Sequence, residues 1–232
     1  MAKNIFKIIF KLLIVASVVV GICLTIPSRM EEQFWFFTIQ SNIFIAIVQL
    51  ILAFTLVMNL FGKKINFVNS LTFSRIRILT TFFITITCLV YCFILAPCGI
   101  IFSGMSFSSM FDLRNILLHI TVPIMAIADY VCFCPKGIIS FKQLWLFLIY
   151  PLAYSVMIYL RAAFGGHAFV SGSYYPYFFF DPSHKSQGVL MIVIYLVIMA
   201  LLFCSLAMIY IWLDKKINRL QIKKSMQQKK PE

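Results

Sequence analysis

The sequence predicts an all-α fold: a polytopic membrane bundle of six transmembrane helices with both termini cytoplasmic. Three observations carry that reading. Of the 232 residues, 62% are hydrophobic and only 12% charged, against about 45–50% and about 25% in soluble domains. The chain holds six apolar runs near the ~20 residues that cross a hydrocarbon core. Its charges then alternate between the segments that join those runs. Lys and Arg number 20 against 7 Asp and Glu, a net charge of +13. A basic excess can mark a nucleic-acid binder, but such proteins carry a polar surface that this chain lacks. The composition leaves a multi-span membrane protein or an apolar aggregate.

The predicted spans are 8–27, 35–61, 78–97, 112–133, 143–163 and 188–213, forming one membrane domain over 1–213. The first has the lysine flank of a signal peptide in Lys3 and Lys7. Its apolar stretch is long for that, however, and it ends Leu24-Thr25-Ile26-Pro27 with no small-x-small cleavage site, so it is read as a retained span. Lys3, Lys7 and Lys11 precede or enter span one. Lys63, Lys64, Arg75 and Arg77 follow span two, and Lys136 and Lys142 follow span four. Residues 214–232 form a basic cytoplasmic tail carrying seven more. Arg29, Arg114, Arg161 and Lys185 fall on the other side, beside Glu31, Glu32, Asp112 and Asp181. The positive-inside rule places the sixteen basic residues, and both ends of the chain, in the cytoplasm. The tail reads as a frayed helix near anionic headgroups, or simply as a topology determinant. The usage of Ile, Phe and Lys fits an AT-rich bacterial source, hence a plasma (inner) membrane.

Polar residues inside the spans are the informative ones, because unsatisfied groups in hydrocarbon are costly. In span two, Thr38, Ser41, Asn42 and Gln49 share one helix face with Ile45. That face must turn inward. For Ser41 and Gln49 interhelical hydrogen bonding suffices as a role. In span four, Asn115 and His119 are i, i+4 neighbours, and Pro123 is expected to bend the helix just beyond. Asp129, the one carboxylate within a span, is expected to pair with Lys136 or Arg75. His119 is either a satisfied core group or a functional one.

Span five ends at Arg161, whose stem can snorkel. The loop 164–187, with Ser173-Tyr174-Tyr175-Pro176-Tyr177-Phe178-Phe179-Phe180-Asp181, is apolar enough to fold back over the bundle as a lid. Thr38 and His119 lie at similar depth near the same end. If spans two and four are neighbours, a hydroxyl and an imidazole meet, as a base-activated nucleophile requires. Asn42 or Asn115 then orients the ring or donates to an oxyanion. The competing reading is a non-catalytic lipid-binding, transport or assembly protein whose polar face only joins helices. No Gly-x-Ser-x-Gly elbow is present, and no inverted repeat supports transport. The seven cysteines form no disulfide framework, and the three histidines are too dispersed for a metal, so no cofactor is implied. Nothing in the sequence sets the oligomeric state.

Four strings carry a resemblance over nearly the whole chain. They are Phe37-Thr38-Ile39-Gln40-Ser41-Asn42, Asn115-x-x-x-His119-x-x-x-Pro123 with Asp129, Tyr150-Pro151-x-x-Tyr154 with Arg161, and Tyr175-Pro176-Tyr177 with Asp181 and Gly188. In this order they resemble the predicted-six-transmembrane-helix family of bacterial membrane proteins. That family is similar to the animal androgen-induced, androgen-dependent tissue-factor-pathway-inhibitor regulator family. The resemblance implies an intramembrane threonine hydrolase of fatty-acyl esters, with Thr38 as nucleophile, His119 as its base and Asn115 matching. Ser41 stands where the animal enzymes carry an acid, and Pro123 follows the histidine one residue sooner than theirs. The resemblance carries the residue pair and leaves the substrate open. The implied partners are the lipid bilayer and a lipid ester, with no nucleic acid.

Overall fold

The computed structural model describes residues 2–25, 30–103, 106–169, 171–183 and 188–227. Arg29, Lys185, Lys229 and Lys230 of the predicted charge pattern, and positions 26 and 27 of the first predicted span, lie outside them. Among the described residues the structure is helical with no strand, and six stretches are long and apolar enough to cross a membrane. They are Ala2–Thr25, Phe37–Leu60, Leu71–Ile101, Leu113–Phe133, Phe141–Ala163 and Gly188–Gln227. The chain is a multi-pass membrane protein. It divides into two compact units, Met1–Cys134 and Pro135–Glu232.

The first unit begins with α1 (Ala2–Thr25), the short α2 (Met30–Gln33) and α3 (Phe37–Leu60). After a 3-10 turn comes α4 (Leu71–Val90), which passes through a π-turn, Tyr91–Leu95, into α5 (Ala96–Ser103). The short α6 (Phe107–Met110) and α7 (Leu113–Ile116) lead through a second π-turn, Leu117–Thr121, into α8 (Val122–Phe133). α1 packs on α3, α3 on α4 and α4 on α8. Ile14, Val18, Ile45, Ile84, Val122 and Ala126 form the buried core where they meet. Gly21 is small for a reason: a Cβ there would meet Leu118 side-chain atoms at 2.6 and 2.7 Å. The Leu118 side chain of the second π-turn therefore seats directly on the α1 backbone at Gly21, as small residues permit in membrane helices.

The third span is longer than the predicted 78–97. Ser70 caps α4 by accepting from the Phe73 N–H at 3.1 Å, so the helix starts before its hydropathy rises. It therefore includes Arg75 and Arg77, which the sequence reading placed in a loop. Four threonines of α4 return their hydroxyls to its own carbonyls. Thr80 donates to Ile76, Thr81 to Arg77, Thr85 to Thr81 and Thr87 to Phe83, at 2.8 to 3.3 Å. That self-satisfaction lets a threonine-rich helix be the most enclosed of the six.

Both π-turns precede a proline. The Ala96 N–H reaches the Tyr91 carbonyl just before Pro97, and the Val122 N–H reaches that of Leu117 just before Pro123. Proline cannot donate to the carbonyl four residues back, and its ring crowds that carbonyl. Widening the preceding turn to i→i+5 bonds relieves the clash. Pro123 was expected to bend the helix; what it accompanies is this wider turn, with His119 at its centre.

The second unit holds α9 (Leu146–Ala163) and α10 (Gly188–Gln227). A capping box between Ser140 and Gln143 opens the segment before α9. α10 runs unbroken past the predicted span end at 213, so the first turns of the tail are regular helix. Asp214, counted from sequence as a tail charge, is buried and accepts from the N–H groups of Ile138 and Ile139 at 2.8 and 3.4 Å. Its carboxylate thereby ends the 138–140 segment on α10.

Candidate functional site

The polar face of α3 is buried: Thr38, Ser41, Asn42, Ile45 and Gln49 all lie inside the first unit. Thr38 sits in the first turn of α3, and His119 in the π-turn ahead of α8. The Thr38 hydroxyl and the His119 Nε2 are 3.3 Å apart. On the ring's other edge, Nδ1 lies 3.3 Å from the Asn115 carbonyl oxygen. A carbonyl only accepts, so Nδ1 carries the proton and Nε2 is free to accept from the threonine. Thr38 and His119 keep 9% and 8% of their surface.

Asn42 is the stitch of the site. Its Nδ2 donates to the Thr38 carbonyl at 2.8 Å and to the Leu118 carbonyl at 3.2 Å, joining α3 to the π-turn of His119. Its Oδ1 is buried with no hydrogen-bond partner among the described residues. The Asn115 side chain does not orient the imidazole; it donates to the Ser109 carbonyl at 2.9 Å, and its backbone oxygen meets the ring instead. The Asp112 carboxylate caps that turn by accepting from the Asn115 N–H at 2.7 Å. Ser41 joins helices: its hydroxyl lies 2.7 Å from that of Thr87 and donates to the Thr38 carbonyl. α3 starts at Phe37, and the residue before it, Phe36, gives the helix no side-chain cap. The positive end of the helix dipole therefore lies beside Thr38.

Sequence reasoning missed Tyr91. Its ring stacks on the imidazole of His119 at 3.8 Å between centroids and 20° between planes. The available signal was a proline six residues on in one span and four residues beyond the histidine in the other, each marking a disturbed turn.

A second polar cluster lies deeper in the same unit. The Asp129 carboxylate accepts from Lys11 Nζ at 2.5 Å and Gln49 Nε2 at 3.1 Å, and Arg77 stands 3.5 Å away. Lys11 also donates to Gln49 Oε1 at 3.2 Å. This corrects the expected pairing of Asp129 with Lys136 or Arg75. α1 and α4 bring Lys11 and Arg77 inward at the depth of Asp129.

Arg161, Tyr175 and Asp181 belong to the second unit, where they organise the 164–183 loop. The Arg161 guanidinium donates to the Tyr174 and His167 carbonyls at 3.0 and 2.6 Å and stacks on Phe169 at 4.5 Å. It therefore fastens the loop rather than merely snorkelling. The Asp181 carboxylate accepts from the hydroxyls of Ser173 and Ser183, both at 2.6 Å. Burial, and then the nearby Asp181 carboxylate, hold the Tyr175 phenol above its usual range. The loop folds back on its own unit through Phe180 against Tyr154 and Tyr159, and Phe178 against Tyr195. A cleft of about 500 Å³ opens among Ser173, Tyr175, Phe178 and Asp181.

Among the described residues no group of three or more His, Cys, Asp or Glu is placed to hold a metal ion. Comparison with models of known protein families, with curated proteins and with solved structures found no match.

Proposed function

We propose that this membrane protein is an intramembrane hydrolase of lipid fatty-acyl esters, with Thr38 as nucleophile and His119 as general base and then acid. The observation that carries the reading is the 3.3 Å approach of the Thr38 hydroxyl to Nε2, with Nδ1 held by the Asn115 carbonyl. A free hydroxyl is a poor nucleophile near neutral pH, and a positioned base contributes about 10²–10⁴ in rate.

The steps follow from the pair. Thr38 Oγ1 attacks the ester carbonyl as its proton passes to Nε2, and the carbonyl oxygen becomes an oxyanion. The positive end of the α3 dipole, which begins one residue before Thr38, supports that charge. Nε2 returns the proton to the alcohol oxygen, the C–O bond breaks, and an acyl-threonine remains. Water, deprotonated by Nε2, then releases the fatty acid and restores the hydroxyl. Thr38→Ala and His119→Ala should each abolish labelling of the purified protein by a fluorophosphonate and hydrolysis of a long-chain 4-nitrophenyl ester. Labelling that survives both substitutions, or its absence in the unaltered protein, overturns the reading.

The proposal extends to placement. With sixteen basic residues grouped at alternate junctions, the chain lies in a bacterial plasma membrane with both termini cytoplasmic. Thr38 then faces the outer leaflet, from which an ester would enter. This agrees with the activity that the resemblance to the six-span family implies. Reporter fusions after residues 63 and 232 should read as cytoplasmic, and one after residue 111 as external.

A further inference from the structure

An imidazole that accepts the Thr38 proton becomes a cation, and base-activated hydrolases place a group behind the base to hold it. No carboxylate hydrogen-bonds His119 among the described residues; its ring nitrogens meet Thr38 and the Asn115 carbonyl, each at 3.3 Å. Both contacts are long for hydrogen bonds. Rotation of a histidine ring about χ2 is soft, so two such contacts fix its orientation only weakly. A swing would carry Nε2 away from the hydroxyl.

Tyr91 closes the open side. Its ring lies 3.8 Å from the imidazole and 20° from parallel, and it is itself buried. Its hydroxyl donates to the Met110 carbonyl at 3.4 Å. It sits in the π-turn ahead of Pro97, as His119 sits in the π-turn ahead of Pro123. Two helices thus make the same irregularity at the same depth, and each uses it to present one ring of the stack.

We infer that Tyr91 is the positioning residue of the pair: its ring face holds the imidazole toward Thr38 and stabilises the imidazolium while Nε2 carries the proton. This rests on the hydrolase reading above. No bond forms to Tyr91. The Thr38 O–H bond breaks, an Nε2–H bond forms, and that proton later leaves with the alcohol oxygen. Between those events the positive charge lies against an aromatic face, which a desolvated cation prefers by about thirtyfold.

The test separates this role from the hydrolase reading. In the full-length protein, Tyr91→Leu should lower kcat for a 4-nitrophenyl ester about tenfold to thirtyfold with KM unchanged, and Tyr91→Phe should restore it. In a Thr38→Cys background, iodoacetamide alkylation of the introduced thiol, read by peptide mass, reports the imidazole without any ester. It should slow about tenfold with Tyr91→Leu and keep its rate with Tyr91→Phe. Tyr91→Met, which keeps bulk without a ring face, serves if the leucine variant does not fold, and should behave as leucine does. Leucine and methionine variants that match the unaltered protein in both assays overturn the assignment. So does a phenylalanine variant as slow as leucine, because the Met110 bond would then matter rather than the ring. Should the unaltered protein cleave no ester while alkylation of the introduced thiol still follows Tyr91, the hydrolase reading falls and the positioning role stands.

Discussion

At the scale of single residues, the candidate site depends on groups that link the two segments presenting Thr38 and His119. Asn42 is the clearest, since one amide nitrogen serves the Thr38 and Leu118 carbonyls together. Removing it takes the side-chain donor from the Leu118 carbonyl and leaves Ser41 as the side-chain donor to that of Thr38, and a buried acceptor left unsatisfied costs about 1–3 kcal/mol. Asn42→Ala should lower the melting temperature in detergent and slow fluorophosphonate labelling; Asn42→Asp, which sets carboxylate oxygens against the same two carbonyls, should be worse. A melting curve and labelling rate unchanged by Asn42→Ala would show that Asn42 does not stitch the site. Ser41 differs, although both residues stood on one face in the sequence. Its contact with Thr87 joins α3 to α4, and Ser41→Ala should cost only about 0.6 kcal/mol, read as a small shift in melting. The shared face was legible from spacing alone. Which member stitched the site and which joined helices was not, because their partners lie 46 to 76 residues away.

At the scale of elements, the two π-turns decide where the rings point. A π-turn holds one extra residue relative to an α-turn, and each residue turns a helix by about 100°. Pro123→Ala restores an N–H that can bond the His119 carbonyl, allowing a regular turn. The histidine would then rotate off its present bearing. Labelling should fall at least tenfold while the melting temperature holds or rises, a pairing that simple destabilisation cannot produce. Gly21 acts on the same turn from α1. A Cβ at that position overlaps the Leu118 side chain, whose neighbour is His119. Gly21→Ala should therefore destabilise by about 1–3 kcal/mol and slow labelling, as overpacking displaces the turn. Both prolines were visible in the sequence, and kinks were the natural expectation. Their effect on ring presentation was not visible, because it depends on two turns meeting across two helices. The same limit hid Tyr91, which in sequence is one aromatic residue among the 38 Phe, Tyr and Trp.

At the scale of the whole molecule, composition specified the membrane class and the six spans, while the charge pattern concealed a structural use. Lys11 and Arg77 belong to the sixteen basic residues that read as a topology code, yet both are buried against Asp129. With Gln49 they tie together α1, α3, α4 and α8, the four long helices of the first unit. The stoichiometry is two cations to one carboxylate, and it predicts an asymmetry. Lys11→Met leaves Arg77 and Asp129 as a balanced pair, with Gln49 still donating to the carboxylate, so the change should be tolerated. Asp129→Asn leaves two cations facing each other in a low-dielectric interior, where breaking a buried pair costs about 3–5 kcal/mol. That approaches the full stability of many domains. Asp129→Asn should therefore give little monodisperse protein on size exclusion in detergent, and adding Lys11→Met to it should recover part of the yield by removing one uncompensated cation. Equal damage from Lys11→Met and Asp129→Asn would mean that the cluster acts through the lysine's hydrogen bonds rather than through charge balance. Recovery in the double variant, with the Lys11→Met single near unaltered yield, would mark Asp129 as the group on which the packing of the first unit depends.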